Sequence, residues 1–225
     1  MSAPAAEEPI CCWQCSLEHP AAFFCPGCGA VQSPGDDADY FALLGLPSHP
    51  AIDATDLERR YHDLSRRLHP DRYQTASVEE REASVRATAV LNSAFRTLRD
   101  LESRGRYWLA REGEQLGRDN NRVPPGLAAY VFAVQEQLAE LRAAADGERG
   151  AIASGLADTQ RDCLARRDRE RAQLDGLLRA WPDSSPEGAS AARARSAARE
   201  ELKRLLSELS YLGTLARDLD GALES

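Results

Sequence analysis

The segment DATDLERRYHDLSRRLHPDRYQTASVEEREASVRATAVLNSAFRTLR, residues 53–99, holds two helical patterns separated by a break. In the first, Leu57, Tyr61, Leu64 and Leu68 fall at i, i+4, i+7 and i+11, one apolar stripe on a helix. Arg59, Arg60, Arg66 and Arg67 lie on the opposite side, and Asp53 to Thr55 supply candidates for the cap that starts it. The pattern ends at His69-Pro70-Asp71, where proline removes a backbone donor and breaks the helix. A second helix is predicted from Ser77, with acids in its first turn, and it turns Ala87, Leu91, Ala94, Phe95 and Leu98 to one face.

Upstream of this pair, Asp39-Tyr40-Phe41-x-x-Leu44-Gly45-Leu46 reads as a short apolar helix. Gly45 stops it and Pro47 blocks its resumption. Downstream, Gly117 to Pro125 is a polar hinge containing Asn120-Asn121 and Pro124-Pro125. Residues 126–225 follow as helices interrupted at Ala145 to Gly150 and at Pro182 to Ser190. The composition supports this reading. Ala, Arg, Leu and Glu dominate, which favours helix, and no alternating β-branched run makes a convincing strand.

The first 38 residues differ in kind, being rich in Cys, Pro and Gly. Five of the six cysteines lie in the first 28 residues, as Cys11, Cys12-x-x-Cys15 and, after nine residues, Cys25-x-x-Cys28. Two C-x-x-C knuckles aim four thiolates at one tetrahedral zinc ion, which leaves no open position and makes a structural site. Disulfides are disfavoured in a cytosolic chain, and a redox C-x-x-C sits at a helix start beside a strand. Cys11 could take the place of Cys12 with C-x3-C spacing. His19 reads as a loop histidine, and Cys163, alone on a polar helix, as incidental.

Net charge is −8, which argues against general nucleic-acid binding. The charge is uneven. Residues 1–38 carry five acids and no Lys or Arg, whereas residues 39–118 carry 13 acids and 13 Arg. A local basic face on the central helices is therefore compatible with an acidic chain. No run of about 18 apolar residues suggests a membrane span. Met1 to Ile10 has Glu7 and Glu8 without a basic residue, unlike a secretory signal or a transit peptide. The expectation is a cytoplasmic protein, mitochondrial only if a presequence has been lost.

Two long antiparallel helices with His-Pro-Asp between them resemble the J domain. The likeness runs from Asp39 to about Arg111, through the DYFxLLGL opening, the basic helix, HPD and Leu91-Asn92-Ser93-Ala94-Phe95-x-x-Leu98. It implies a module that triggers ATP hydrolysis on a DnaK-type chaperone. His69, Pro70 and Asp71 would be the trigger, and Arg59, Arg60, Arg66 and Arg67 would steer the helix to an acidic patch on the partner. The chain itself would not be an enzyme, since no nucleophile or second acid partners His69.

The chain lacks a Gly/Phe-rich linker and internal CxxCxGxG repeats. Ser103-Arg104-Gly105-Arg106-Tyr107-Trp108-Leu109 instead leads toward a helical domain, which resembles HscB, the J protein dedicated to iron–sulfur cluster assembly. The eukaryotic members carry an N-terminal module with CWxC and FFCPxC, here Cys12-Trp13-Gln14-Cys15 and Phe23-Phe24-Cys25-Pro26-Gly27-Cys28. The resemblance implies a mainly α protein in three parts: a tetracysteine zinc module and linker over 1–38, a J domain over 39–116 and a C-terminal three-helix bundle over 117–225. It implies two partners, a DnaK/HscA-type ATPase and an IscU-type scaffold. The family's Leu-Met-Glu core on the first bundle helix is absent. Alignment places Val134 and Leu138 on the scaffold-facing positions, with Val131 and Phe132 nearby, and Tyr211 joins them from the last helix. A J protein with a different client on the same bundle is the alternative. A zinc enzyme is the weaker one, because four thiolates leave the metal closed.

Overall fold

The computed structural model describes residues 9–35, 37–116, 123–182 and 189–224. The chain divides into two compact units, residues 1–113 and 114–225. It is mainly helical, as the composition indicates.

The first unit begins with a two-stranded antiparallel sheet, β1 (Ile10–Cys11) and β2 (Glu18–His19), in which Ile10 faces His19 and Cys11 faces Glu18. His19 is therefore a strand residue, not a loop histidine, and it is buried, with Nδ1 2.7 Å from the Pro20 carbonyl oxygen. Helix α1 (Tyr40–Leu43) is capped by the Asp39 carboxylate, which accepts from the Phe41 N–H. It ends where Gly45 takes φ +64°, and a Cβ there would lie 2.9 Å from an Arg60 nitrogen.

Helix α2 (Ala54–Leu68) starts at Asp53, whose carboxylate accepts from the Asp56 N–H. Helix α3 (Val78–Arg99) starts at Ser77, whose hydroxyl accepts from the Glu80 N–H. The two pack through Leu57 and Leu68 on one side and Ala87, Leu91, Ala94 and Leu98 on the other, all buried. Tyr61 and Phe95 stack at 4.0 Å between ring centroids at the margin, both half-buried, and Tyr61 donates to Asn92 Oδ1.

Arg99 does not run on into the next segment. Asp100 adopts an extended conformation, and its carboxylate accepts from the Ser103 N–H to open α4 (Leu101–Arg111). This helix returns to α1. Tyr107 stacks on Tyr40 and accepts from its N–H, Trp108 meets Phe41 edge to face, and Arg111 pairs with Asp39. The sequence holds the Asp-x-x-Ser cap signal for this break, but it lies hidden in a continuous helical composition.

The second unit contains α5 (Ala128–Ala143), α6 (Asp146–Arg179) and α7 (Ala189–Leu223). The expected interruption at 145–150 shrinks to Ala144 and Ala145, with Gly147 and Gly150 inside α6. The hinge residues Gly117 to Arg122 and the stretch Asp183 to Gly188, with Ser184-Ser185-Pro186, lie outside the described residues. The core gathers Val131, Val134, Leu138 and Leu141 of α5 with Leu156 and Cys163 of α6 and Leu212, Leu215 and Leu219 of α7. Cys163 is thus a core residue and not a stray one on a polar face. Its thiol points at the Leu212 carbonyl at 3.7 Å, and burial pushes its pKa up.

This core corrects the expected exposed patch. Val131, Val134 and Leu138 are 6%, 1% and 1% exposed, because the α5 stripe at 131, 134, 138 and 141 is the face that closes the bundle. Phe132, one position off that stripe, is 66% exposed. Leu138→Ala should therefore cost about 2–5 kcal/mol of unfolding free energy, as a buried leucine does. Phe132→Ala should stay within about 0.5 kcal/mol. Chemical denaturation of the two variants checks this, and equal losses would show that the stripe is misplaced.

Candidate metal centre and HPD loop

The two C-x-x-C segments fold as near copies of each other. In the first, the Cys12 N–H donates to the Leu17 carbonyl and the Ser16 N–H to the Cys12 carbonyl, both at 2.9 Å. In the second, the Cys25 N–H donates to Ala30 and the Gly29 N–H to Cys25 at the same length. Each turn closes through a positive-φ residue, Ser16 at 59° and Gly29 at 77°. Glycine suits this position, whereas Ser16 bears a modest steric cost there.

Facing each other, the turns bring the Sγ atoms of Cys12, Cys15, Cys25 and Cys28 within 4.8 Å of one another. Cys12 and Cys28 are 3.6 Å apart, and Cys15 and Cys25 are 3.7 Å apart. A disulfide would need about 2.05 Å. A tetrahedron with Zn–S of about 2.3 Å has edges of about 3.8 Å, so the donor set fits a four-coordinate ion. Cys11 stays on its strand, exposed, with its sulfur directed at the Cys12 carbonyl 4.0 Å away. The buried Gln32 amide donates to Cys12 Sγ at 3.4 Å, an outer-shell contact of the kind that orients a thiolate.

The thiols titrate unequally. Desolvation opposes ionisation of Cys12, but the N–H groups of Cys15 and Gln14 outweigh it and draw the thiol down to about 6. Cys15 is pushed up to about 12, with the Leu17 N–H pulling down and the Cys28 thiol and desolvation prevailing. Cys28 is also raised, against the Ala30 N–H, by desolvation and its thiol neighbours.

Helix α2 stops at Leu68. His69 is extended (φ −56°, ψ 127°), as the residue before a proline tends to be. Pro70–Tyr73 then form one 3-10 turn. The His69 ring caps that turn, Nδ1 accepting from the Asp71 N–H at 3.3 Å and lying 3.5 Å from Asp71 Oδ2. The side chains of His69 and Asp71 are 56% and 74% exposed, so the loop shows its imidazole and carboxylate to solvent.

The α2 arginines divide by partner. Arg59 pairs with Asp56 and Asp63, and Arg66 with Asp63, along the helix. Arg60 pairs with Asp56 and donates to the Gly45 carbonyl at 2.6 Å, so it ties α2 to the end of α1. Arg67 places its guanidinium carbon over the Phe24 ring of the second knuckle, 4.1 Å from its centroid. No feature of the sequence pairs Phe24 with Arg67, since they are 43 residues apart. In the second unit, Phe132 is exposed and Tyr211 half-buried against the core.

No family model matches the chain. It is similar to the iron–sulfur cluster co-chaperone protein HscB homolog of Arabidopsis thaliana, 32% identical over 129 residues. It is also similar to the iron–sulfur cluster co-chaperone proteins HscB of Homo sapiens (31% over 134 residues) and Mus musculus (30% over 139 residues). These alignments take 57%, 57% and 60% of the chain and span only 51%, 57% and 59% of the relatives' own length. The crystal structure of human co-chaperone protein HscB covers 93% of this chain and 96% of its own, with TM-score 0.60 and 25% identity. The chain is HscB-like in sequence and in fold. The chaperone HscB of Vibrio cholerae agrees, at TM-score 0.55 and 26% identity over 81% of this HscB-like chain and 96% of its own. Among the described residues no helix is long and apolar enough to cross a membrane.

Metal binding should release protons, because Cys15 and Cys28 are protonated near neutrality and must ionise to ligate. Titration of the metal-free, reduced protein with zinc in weak buffer should acidify the solution and saturate at one ion per chain. Affinity should fall as pH falls, since protons then compete for the thiolates. Cys25→Ser should bind less than one ion. Stoichiometric binding by that variant would exclude the four-thiolate centre.

Proposed function

We propose that the chain is a J-domain co-chaperone of iron–sulfur cluster assembly, which stimulates a DnaK/HscA-type ATPase and delivers an IscU-type scaffold to it. The observation that carries the reading is the His69–Asp71 loop, solvent-exposed at the end of an arginine-bearing helix, in a chain whose relatives carry that name. In this account hydrolysis takes place on the partner. The chain contributes binding energy that differs between the partner's two states, which is all a population shift requires. His69, Pro70 and Asp71 act at the partner surface, with Arg59, Arg66 and Arg67 supplying attraction to acids there. Arg60 serves chiefly to seat α2 on α1.

The cysteine centre is proposed to hold one structural zinc ion on Cys12, Cys15, Cys25 and Cys28. The ion would supply a cross-link between the two knuckles, which have few apolar side chains of their own. The three functional parts are assigned to residues 1–38, 39–116 and 117–225. Scaffold binding is assigned to the second unit around Phe132 and Tyr211, with Val131, Val134 and Leu138 supporting that surface from within. A different client on the same unit is the second reading. The burial of those three side chains and the missing Leu-Met-Glu segment favour it.

Stimulated ATP turnover by a purified DnaK-type partner tests the first claim. His69→Gln should reduce it to the unstimulated rate, and undiminished stimulation would refute a J-domain role. Co-precipitation of an IscU-type scaffold tests the second. Phe132→Ala with Tyr211→Ala should weaken binding about tenfold or more, in the range of paired hot-spot losses. No capture of the scaffold by the native chain, with ATPase stimulation intact, would favour the other client.

A further inference from the structure

Arg67 differs from the other three arginines of α2. Each of those has a carboxylate partner within the helix, whereas Arg67 has none among the described residues. Among the α2 arginines its charge is the one without a carboxylate partner in the described residues, two residues before His69. Its backbone is also fixed. The Tyr73 hydroxyl, from the turn that follows His69, donates to the Arg67 carbonyl at 2.9 Å. The next carbonyl, of Leu68, accepts from both Ser84 and Thr88.

The side chain is held from a third direction. The guanidinium rests over Phe24 at 4.1 Å. Phe24 lies between buried Phe23 and buried Cys25, and its backbone pairs with Val31 across the second knuckle. Arg67 is nonetheless exposed, so the guanidinium N–H donors that do not face the ring stay open to a carboxylate. A long arginine held this way has less rotamer freedom to lose on docking.

We infer that Phe24 is a positioning residue for chaperone docking: the second cysteine knuckle holds Arg67 beside His69, so the docking surface continues from α2 onto the metal module. The inference rests on the proposed J-domain function. It gives the cysteine module a part in partner affinity besides any part in folding. The partner chemistry it implies is an acidic surface reaching past the end of α2.

The test uses the full chain, loaded with zinc, in a concentration series of ATPase stimulation with a DnaK-type partner. Phe24→Leu keeps an apolar side chain and removes the ring face. It should raise the half-maximal concentration about 2–5-fold, the equivalent of an exposed cation–π contact, and leave maximal stimulation unchanged. Arg67→Ala should raise it at least as much. The double variant should match Arg67→Ala alone, because the ring acts through the guanidinium. Phe24→Tyr keeps the ring and should behave as the native chain, which separates the ring's effect from general damage to the knuckle. An unchanged half-maximal concentration in Phe24→Leu, an undiminished Phe24→Leu effect in the Arg67→Ala background, or equal weakness in Phe24→Tyr would each overturn the inference. His69→Gln in the same series distinguishes the two levels. Full stimulation by that variant would sink the trigger reading and this one with it, whereas its failure to stimulate beside a silent Phe24→Leu would sink only the role of Phe24.

Discussion

The carbonyl of Leu68 is the point on which the first unit turns. It is among the last carbonyls of α2, which have no partner within their own helix. Pro70 cannot donate a backbone N–H and its ring excludes further α-helix, so chain continuation cannot satisfy the helix end. Ser84, fully buried, donates to the Leu68 carbonyl at 2.6 Å, and Thr88, one turn later on α3, donates at 3.2 Å. These two hydroxyls satisfy a buried acceptor and fix the axial register of α3 against α2. Losing a partner from a buried polar pair costs more than the bond itself is worth, because the remaining group stays desolvated. The exposed His69–Asp71 loop is therefore mounted on a buried anchor.

The same economy of anchors appears elsewhere in that unit. Asp39 caps α1 and pairs with Arg111 from α4, and Tyr107 closes the arrangement by accepting from the Tyr40 N–H. Desolvation raises the Tyr107 pKa, so its hydroxyl stays protonated at neutral pH and can serve as donor and acceptor together. The cysteine turns follow another logic. Each is closed by two backbone hydrogen bonds, and four thiols converge without forming a disulfide. Four thiols so placed suit a metal ion, and Phe24 of the second knuckle meets Arg67 of α2.

In the second unit the division is between what closes the bundle and what remains outside. Helix α5 offers two apolar features, the 131-134-138-141 stripe and Phe132. Only the arrangement of α6 and α7 determines which is buried. Glu208, itself buried, shows a related cost. It pairs with Arg204, and Glu170 nearby has a raised pKa through desolvation and the Glu208 charge.

Local order was legible from residue types alone. Asp53 and Ser77 announce helix starts, Gly45 and Pro70 announce ends, and the spacing of Leu57, Leu68, Leu91 and Leu98 gives the faces, because these signals act within one or two turns. The pairing of Cys12-x-x-Cys15 with Cys25-x-x-Cys28 was legible for the same reason, as each knuckle is a local turn. What the sequence could not settle was which apolar side chain of α5 faces inward, whether His19 and Cys163 are buried, that Asp100 divides a long helix, and that Arg67 meets Phe24. Burial and long-range contact depend on where other elements lie, and periodicity marks an apolar face without saying what covers it. Sequence determined the helices, the break at Pro70 and the four thiols; the tertiary structure decided which side chains each of them meets, because only packing sets the distance between residues far apart in the chain.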